Sequence, residues 1–214
     1  MQYILFDLDG TLTNPMLGIT KSIQYALSSK EIEIPDLNSL TKYIGPPLLT
    51  SFQEFGFNAD EAAELVDKYR EYYKVSGLYE NEVYEGIEEL LRKLKEDGKR
   101  LYTATSKPEY FAKVILEHFK LDGYFDDICG ASMDNSRTAK EDVIRYTLDK
   151  NGIVDLSRVV MIGDREHDVI GAKKQGIASV GVLFGYGSRK ELVEAGANRL
   201  AETVEEVYRV IKEM

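Results

Sequence analysis

With 214 residues, 43% hydrophobic and 30% charged, the chain has the length for one substantial domain or a core with a smaller insert, and its composition excludes a disordered polymer. A net charge of −10 with no basic block to offset it argues against a nucleic-acid backbone as partner. No apolar run approaches a bilayer span, no signal-peptide pattern precedes the first charged motif, and the single cysteine, Cys129, excludes an intramolecular disulfide, so the expectation is a cytoplasmic protein with no membrane partner.

The first predicted element is a short apolar strand over 3–6, which runs into Asp7-Leu8-Asp9-Gly10-Thr11. Extended residues alternate faces, so Asp7 and Asp9 can point the same way while Leu8 points into a core. Two carboxylates aimed at one point repel unless a cation or a shared proton lies between them. The pattern suits a Mg²⁺ site and a nucleophile–acid pair; the plain alternative is a solvated Asp-x-Asp-Gly turn.

The next block, 17–77, carries helical periodicity. Ile19, Ile23, Ala26 and Leu27 recur at helical spacing, as do Ala62, Leu65, Val66 and Tyr69. Tyr43-Ile44-Gly45-Pro46-Pro47 between them reads as a loop with Pro47 placed to open the next helix. Tyr69, Tyr72, Tyr73 and Tyr79 read as packing around the end of this block, and no run in it reads as a buried strand.

From Tyr84 onward helices alternate with short apolar strands. A helix over 85–96 ends at Gly98, a strand covers 101–105, a helix 108–119 and a helix 139–150. A strand over 159–162, a helix over 165–175 ending at Gly176, a strand over 179–183 and an amphipathic helix over 204–212 complete the chain. Cys129, in Asp126-Asp127-Ile128-Cys129-Gly130, sits in what looks like a strand end, and a buried inert thiol is expected there. The alternation implies an α/β fold: a parallel, Rossmann-like sheet sandwiched by helices. The first strand belongs to that sheet and is cut off from it by the helical block. Residues 1–14 and 83–214 are therefore expected to form the α/β core and 15–82 an inserted α-helical cap, with hinges near 14–16 and 81–84.

In open parallel sheets ligands bind at the carboxyl ends of the strands. The first strand delivers Asp7 and Asp9 there. The strand over 101–105 delivers Thr105 and Ser106, followed by Lys107-Pro108 at a helix start, so a hydroxyl and backbone N–H groups face the same end. The strand over 159–162 delivers Gly163-Asp164, with Asp168 four residues on. Taken singly, Thr105 and Asp164 could be helix caps, Asp168 a first-turn acid and Lys140 a surface lysine. Their combination is what points to chemistry.

At these residues the chain resembles the haloacid-dehalogenase superfamily of phosphohydrolases, in particular members with a helical cap inserted after the first motif. Asp7-Leu8-Asp9-Gly10-Thr11 resembles the first family motif, Thr105 the second, Lys140 the third, and Gly163-Asp164 with Asp168 the fourth; Ala104–Pro108 and Gly163–Gly176 look like the phosphoglycolate-phosphatase branch. Asn14 departs from the pattern, many relatives having an aspartate there. The resemblance implies a Mg²⁺-dependent phosphatase of small phosphorylated metabolites, phosphoglycolate-like or nucleoside 5′-monophosphates. It makes Asp7 the nucleophile, forming an aspartyl-phosphate, and Asp9 the general acid and then base. It makes Asp7, the main-chain carbonyl of Asp9, and Asp164 the metal ligands, with Asp168 holding a metal-bound water or orienting its neighbours. Thr105, Ser106 and Lys140 are implied as phosphoryl-binding, and the turn around Gly45 and Pro46 as a place of substrate contact; a plain helix–helix connection is the other reading of that turn.

Two readings compete. Mutases on the same scaffold use a cap histidine near the first motif, and the expected cap has none, since the only histidines are His118 and His167. A non-catalytic regulatory protein would be expected to have lost Asp7, Asp9 or Asp164. The chain is expected to act as a monomer or weak homodimer.

Overall fold

The computed structural model describes residues 1–134 and 136–214. In chain order its elements are β1 (Tyr3–Phe6), β2 (Thr13–Asn14), α1 (Met16–Ser28), α2 (Leu48–Glu54), α3 (Ala59–Tyr72), β3 (Glu82–Val83), α4 (Ile87–Glu96), β4 (Arg100–Pro108) and α5 (Glu109–His118), followed by β5 (Asp127–Ala131), α6 (Lys140–Lys150), β6 (Val159–Gly163), α7 (Glu166–Lys174), β7 (Ala178–Val182), α8 (Arg189–Ala195), β8 (Arg199–Ala201) and α9 (Val204–Glu213). They divide into two compact units, Met1–Asn14 with Val83–Met214, and Pro15–Glu82.

The larger unit is built on a six-stranded sheet in the order β5-β4-β1-β6-β7-β8, every pairing parallel. Such strands must be covered on both faces, and β1 accordingly has no polar residue after Tyr3; Ile4, Leu5 and Phe6 are fully buried. Leu5 lies between Tyr102 of β4 and Met161 of β6, and these three form one core cluster with Val143, Ile144 and Leu148 of α6 and Ala172 of α7. The Leu, Ile, Val and Met side chains among them each contribute about 1.5–3 kcal/mol through burial. Because β1 is central, the chain builds outward to β4 and β5 on one side and to β6, β7 and β8 on the other, so the order reverses beside β1. Ligand crevices form at such a switch point.

The smaller unit is helical, with no strand between Pro15 and Asn81 among its described residues. Ile19, Ile23, Ala26 and Leu27 form the buried stripe of α1, and Ala62, Leu65, Val66 and Tyr69 that of α3. Asn58 starts α3 with a capping box, accepting from the N–H groups of Asp60 and Glu61 while Glu61 accepts from its own. A 3-10 stretch at Leu37–Tyr43 leads to Gly45, whose φ of +105° is a conformation that side chains resist, and then to Pro46, Pro47 and α2. Tyr69 and Tyr73 stack at 5.2 Å inside the unit, and Tyr79 is exposed.

The sequence periodicities misplace several elements. The helix expected from residue 85 starts at Ile87, because Gly86 sits at φ +87°, outside the helical region. The strand expected to end at 105 continues to Pro108, with a register shift against β5 between Thr105 and Pro108, and the following helix opens at Glu109. β5, α8 and β8 carry too few residues for their period to stand out.

Candidate active site

The site lies in the larger unit at the carboxyl ends of β1, β4 and β6. Register places it: Phe6 pairs with both Thr103 and Ile162, so the residues that follow emerge side by side, and the Asp7 N–H donates to the Ile162 carbonyl at 2.8 Å. The chain then turns at once. The Leu8 carbonyl accepts from the N–H groups of Thr11, Leu12 and Thr13, and the Leu8 N–H donates to Asp7 Oδ1 at 2.8 Å. Gly10 is required twice in this turn, by its φ of +83° and because a Cβ there would stand 2.2 Å from Asp164 Oδ2.

Lys140, the first residue of α6, is buried and organises the centre. Its Nζ lies 2.9 Å from Asp7 Oδ1 and 2.8 Å from Asp168 Oδ1, and donates to the Ala104 carbonyl at 3.0 Å. The ammonium is thus paired with two carboxylates and hydrogen-bonded to one main-chain carbonyl. Asp168 Oδ2 also accepts from the Arg165 N–H at 3.1 Å, and Gly163 leaves room for Asp168, since a Cβ there would come 2.1 Å from Asp168 Cγ. Asp164 is fully buried; its Oδ2 accepts from the Tyr186 N–H at 2.8 Å and its Oδ1 from Thr11 Oγ1 at 3.4 Å.

Asp7, Asp164 and Asp168 bring carboxylate oxygens within 4.8 Å of one another. Burial pushes the carboxyl of Asp164 well above its ordinary value, and the charges of Asp168 and Asp7 push it further. Burial likewise raises Asp168, against the opposing pull of Lys140. Burial pulls Lys140 down, but the charges of Asp168 and Asp7 outweigh it and hold the ammonium firmly protonated. With all three ionised, the carboxylates facing one ammonium would leave two negative charges unbalanced among buried side chains. A divalent, oxygen-seeking cation is what this donor set fits.

Asp9 stands apart from the trio. Its Oδ2 lies 2.8 Å from Lys107 Nζ, while its Oδ1 is buried with no hydrogen-bond partner among the described residues. Burial raises its carboxyl above the ordinary value and Lys107 only partly offsets this. Thr105 is buried on β4, and its Oγ1 accepts from the Lys107 N–H at 3.2 Å, so one of the amides expected to face a ligand is spent on the strand's own turn. Ser106 is half-buried beside it. Asp7, Asp9, Thr105, Lys140, Asp164 and Asp168 therefore converge on one end of the sheet. Gly45 and Pro46 belong to the helical unit, in the connection before α2.

Lys107 was legible only as a residue near a helix start, yet it is buried and ion-paired. Alternation along an extended strand puts Thr105 and Lys107 on one side, and that signal could have found it. Thr11 was legible as the last residue of the first motif but without a role of its own, and Tyr186 offers no comparable signal. His167 is half-buried, and burial lowers its pKa. Cys129 is fully buried and its thiol pushed up to about 12, mainly by burial.

Residues 4–182 match the family model described as haloacid dehalogenase-like hydrolase. A Pseudomonas aeruginosa protein named 5′-nucleotidase is 51% identical over 190 residues, 88% of this chain and 86% of the relative. A Mycobacterium tuberculosis protein named tyrosine-protein kinase PtkA is 40% identical over 186 residues, 87% of this chain but 63% of that protein. Among solved structures, a predicted phosphatase from Clostridium acetobutylicum superposes with a TM-score of 0.95 at 50% identity, covering 100% of this chain and 99% of the other.

Proposed function

The chain belongs to the haloacid dehalogenase-like hydrolase family and is a phosphatase, and from that premise we propose that it hydrolyses small phosphorylated metabolites with Mg²⁺ and through an aspartyl-phosphate on Asp7. Nucleoside 5′-monophosphates and phosphoglycolate-like acids are the proposed substrates, and the relative named 5′-nucleotidase favours the former. The observation that carries the reading is the different company kept by two aspartates on one turn. Asp7 belongs to the buried trio beside Lys140, whereas Asp9 lies outside it with one oxygen on Lys107 and the other unpartnered among the described residues.

That difference divides the work. Asp7 Oδ1 is held by the Leu8 N–H and Lys140, which fixes the carboxylate and leaves Oδ2 to attack phosphorus. The second oxygen of Asp9, the one not on Lys107, can give a proton to the leaving oxygen, then take one from the water that cleaves the acyl phosphate. Thr105, Ser106 and Lys140 are the proposed phosphoryl contacts. Asp7, the Asp9 carbonyl, Asp164 and Asp168 would hold the metal, directly or through water. When bound there, Mg²⁺ supplies the positive charge that lets a phosphate dianion come near Asp7. We also propose that residues 15–82 act as a cap, that the Gly45-Pro46 turn contributes to substrate choice, and that the protein works in the cytoplasm as a monomer or weak homodimer.

The test is Asp7→Asn beside wild type in a phosphate-release screen over phosphorylated metabolites, with mass spectrometry of acid-quenched wild type during turnover. A phosphoryl group on the peptide containing Asp7, absent from the variant, is expected. A variant that kept more than about a hundredth of the wild-type rate would remove Asp7 as nucleophile.

A further inference from the structure

We infer that Tyr186 is a positioning residue for Asp164, joining that carboxylate to Asn14 through a hydroxyl the reaction itself does not use. The inference rests on the reading of Asp164 as a metal ligand. Asp164 Oδ2 accepts from the Tyr186 main-chain N–H at 2.8 Å, whereas the Thr11 hydroxyl is 3.4 Å from Oδ1. The shorter bond to this buried carboxylate therefore comes from a backbone amide in the connection between β7 and α8. An amide can orient a carboxylate only as well as its own loop is held.

Two things hold that loop. The first is close backbone approach in Phe184-Gly185-Tyr186-Gly187. A Cβ on Gly185 would stand 2.3 Å from the Gly10 carbonyl oxygen and 2.4 Å from Asp164 Cβ, and one on Gly187 would stand 1.8 Å from the Asp164 carbonyl oxygen. The segment thus lies against both Gly10 and Asp164 with no side chain between. The second is the Tyr186 phenol. Its hydroxyl donates to Asn14 Oδ1 at 2.5 Å, and the Tyr84 ring meets Phe184, two residues before Tyr186, edge-on at 5.3 Å. Asn14 and Tyr84 flank the inserted helical unit in the sequence, one as the last residue before it and the other just after it. Both crossover points therefore touch the loop whose amide grips Asp164, Asn14 through the Tyr186 hydroxyl and Tyr84 through the Phe184 ring. An amide oxygen at position 14 accepts from the phenol without adding a further negative charge near Asp9 and Asp164.

The experiment measures Mn²⁺ binding to substrate-free protein, by the paramagnetic signal of the free ion, in wild type, Tyr186→Phe, Asn14→Ala and the double variant. Tyr186→Phe keeps the amide and the ring and removes only the hydroxyl; Asn14→Ala breaks the same bond from the other side. Each single change is expected to weaken Mn²⁺ binding about 10-fold, the low end of what loss of an outer partner costs. The double variant should show about the same 10-fold loss, because both changes remove one connection. A purely structural role would lower the melting temperature and leave the dissociation constant unmoved. Wild-type affinity in both single variants, or losses that multiply to about 100-fold in the double, would overturn the inference alone. A wild type that does not bind Mn²⁺ would instead overturn the metal reading of Asp164, and this inference with it.

Discussion

Lys107 Nζ lies 2.8 Å from Asp9 Oδ2, and both side chains are almost wholly withdrawn from solvent. A buried carboxylate tolerates its charge only with such a partner, so the pair sets how Asp9 is presented to anything bound above β1. Lys107→Met should leave that carboxyl to take up a proton and drift from its position. A fall of up to about 100-fold in kcat/KM is expected, with Lys107→Arg recovering part of it, since a cation is restored with different geometry. Kinetics of the two variants on one substrate check this; equal loss in both would mean that packing, not charge, is what Lys107 provides.

The pair also marks where sequence reading stops. Asp7, Asp9 and Asp164 were legible because a carboxylate at the end of an apolar strand is locally unusual, and Asp168, a first-turn residue of α7, through its combination with them. Lys140 was placed only through family resemblance, since a lysine opening a helix reads as solvated; its burial depends on α6 lying against β4, a contact between residues 36 apart. Tyr186 was invisible because its part is played by a main-chain amide and a hydroxyl bonded to a residue 172 positions away. The parallel sheet followed from alternating periodicities, while β5 was seen only as a strand end around Cys129 and β8 was lost, because strands of five and three residues carry hardly any period.

Two glycines with similar backbones should respond differently to a methyl group. Gly98 has φ +71° and open space within 4 Å of where the methyl would stand, whereas at Gly10, φ +83°, the methyl would meet Asp164. Gly98→Ala is expected to cost about 1 kcal/mol of stability from backbone strain, with turnover unchanged. Gly10→Ala should lose divalent-cation binding and nearly all turnover. Denaturant melts and Mn²⁺ titrations on both variants decide it, and a Gly10→Ala protein that binds Mn²⁺ normally would contradict the close packing.

Substrate ranking should respond to the turn at Pro46-Pro47. The side chains gathered at the sheet end suit a phosphoryl group and a metal, which all phosphomonoesters share, so they cannot tell leaving groups apart. Pro46→Ala with Pro47→Ala widens the conformations open to this connection. The order of kcat/KM among several natural phosphomonoesters should change, while p-nitrophenyl phosphate is altered much less. A common factor across all substrates would make the turn a plain connection between helices.

Asp164 gives a pH-dependent prediction with a definite sign. Its carboxyl is raised well above the ordinary 3.8 by burial and by its acidic neighbours. Between 3.8 and the folded value, the native state keeps a proton that the unfolded state has released, so stability from this group is full at low pH and is lost as pH rises through that window. Asn in its place has nearly the same shape and does not titrate. It can still accept from the Tyr186 N–H while its amide donates to Thr11. In chelator, Asp164→Asn is therefore expected to be more stable than wild type at about pH 8, by about 1–3 kcal/mol or roughly 2–4 °C in Tm for each of these. The advantage should shrink toward about pH 4, where wild type is protonated as well. Adding Mg²⁺ at neutral pH should reverse the order, because only wild type gains the binding free energy of the ion. Thermal melts of both proteins across this pH range, with chelator and with Mg²⁺, carry the test. A constant difference at every pH, or an equal gain from Mg²⁺ in both proteins, would show that the buried charge of Asp164 is not what the metal relieves.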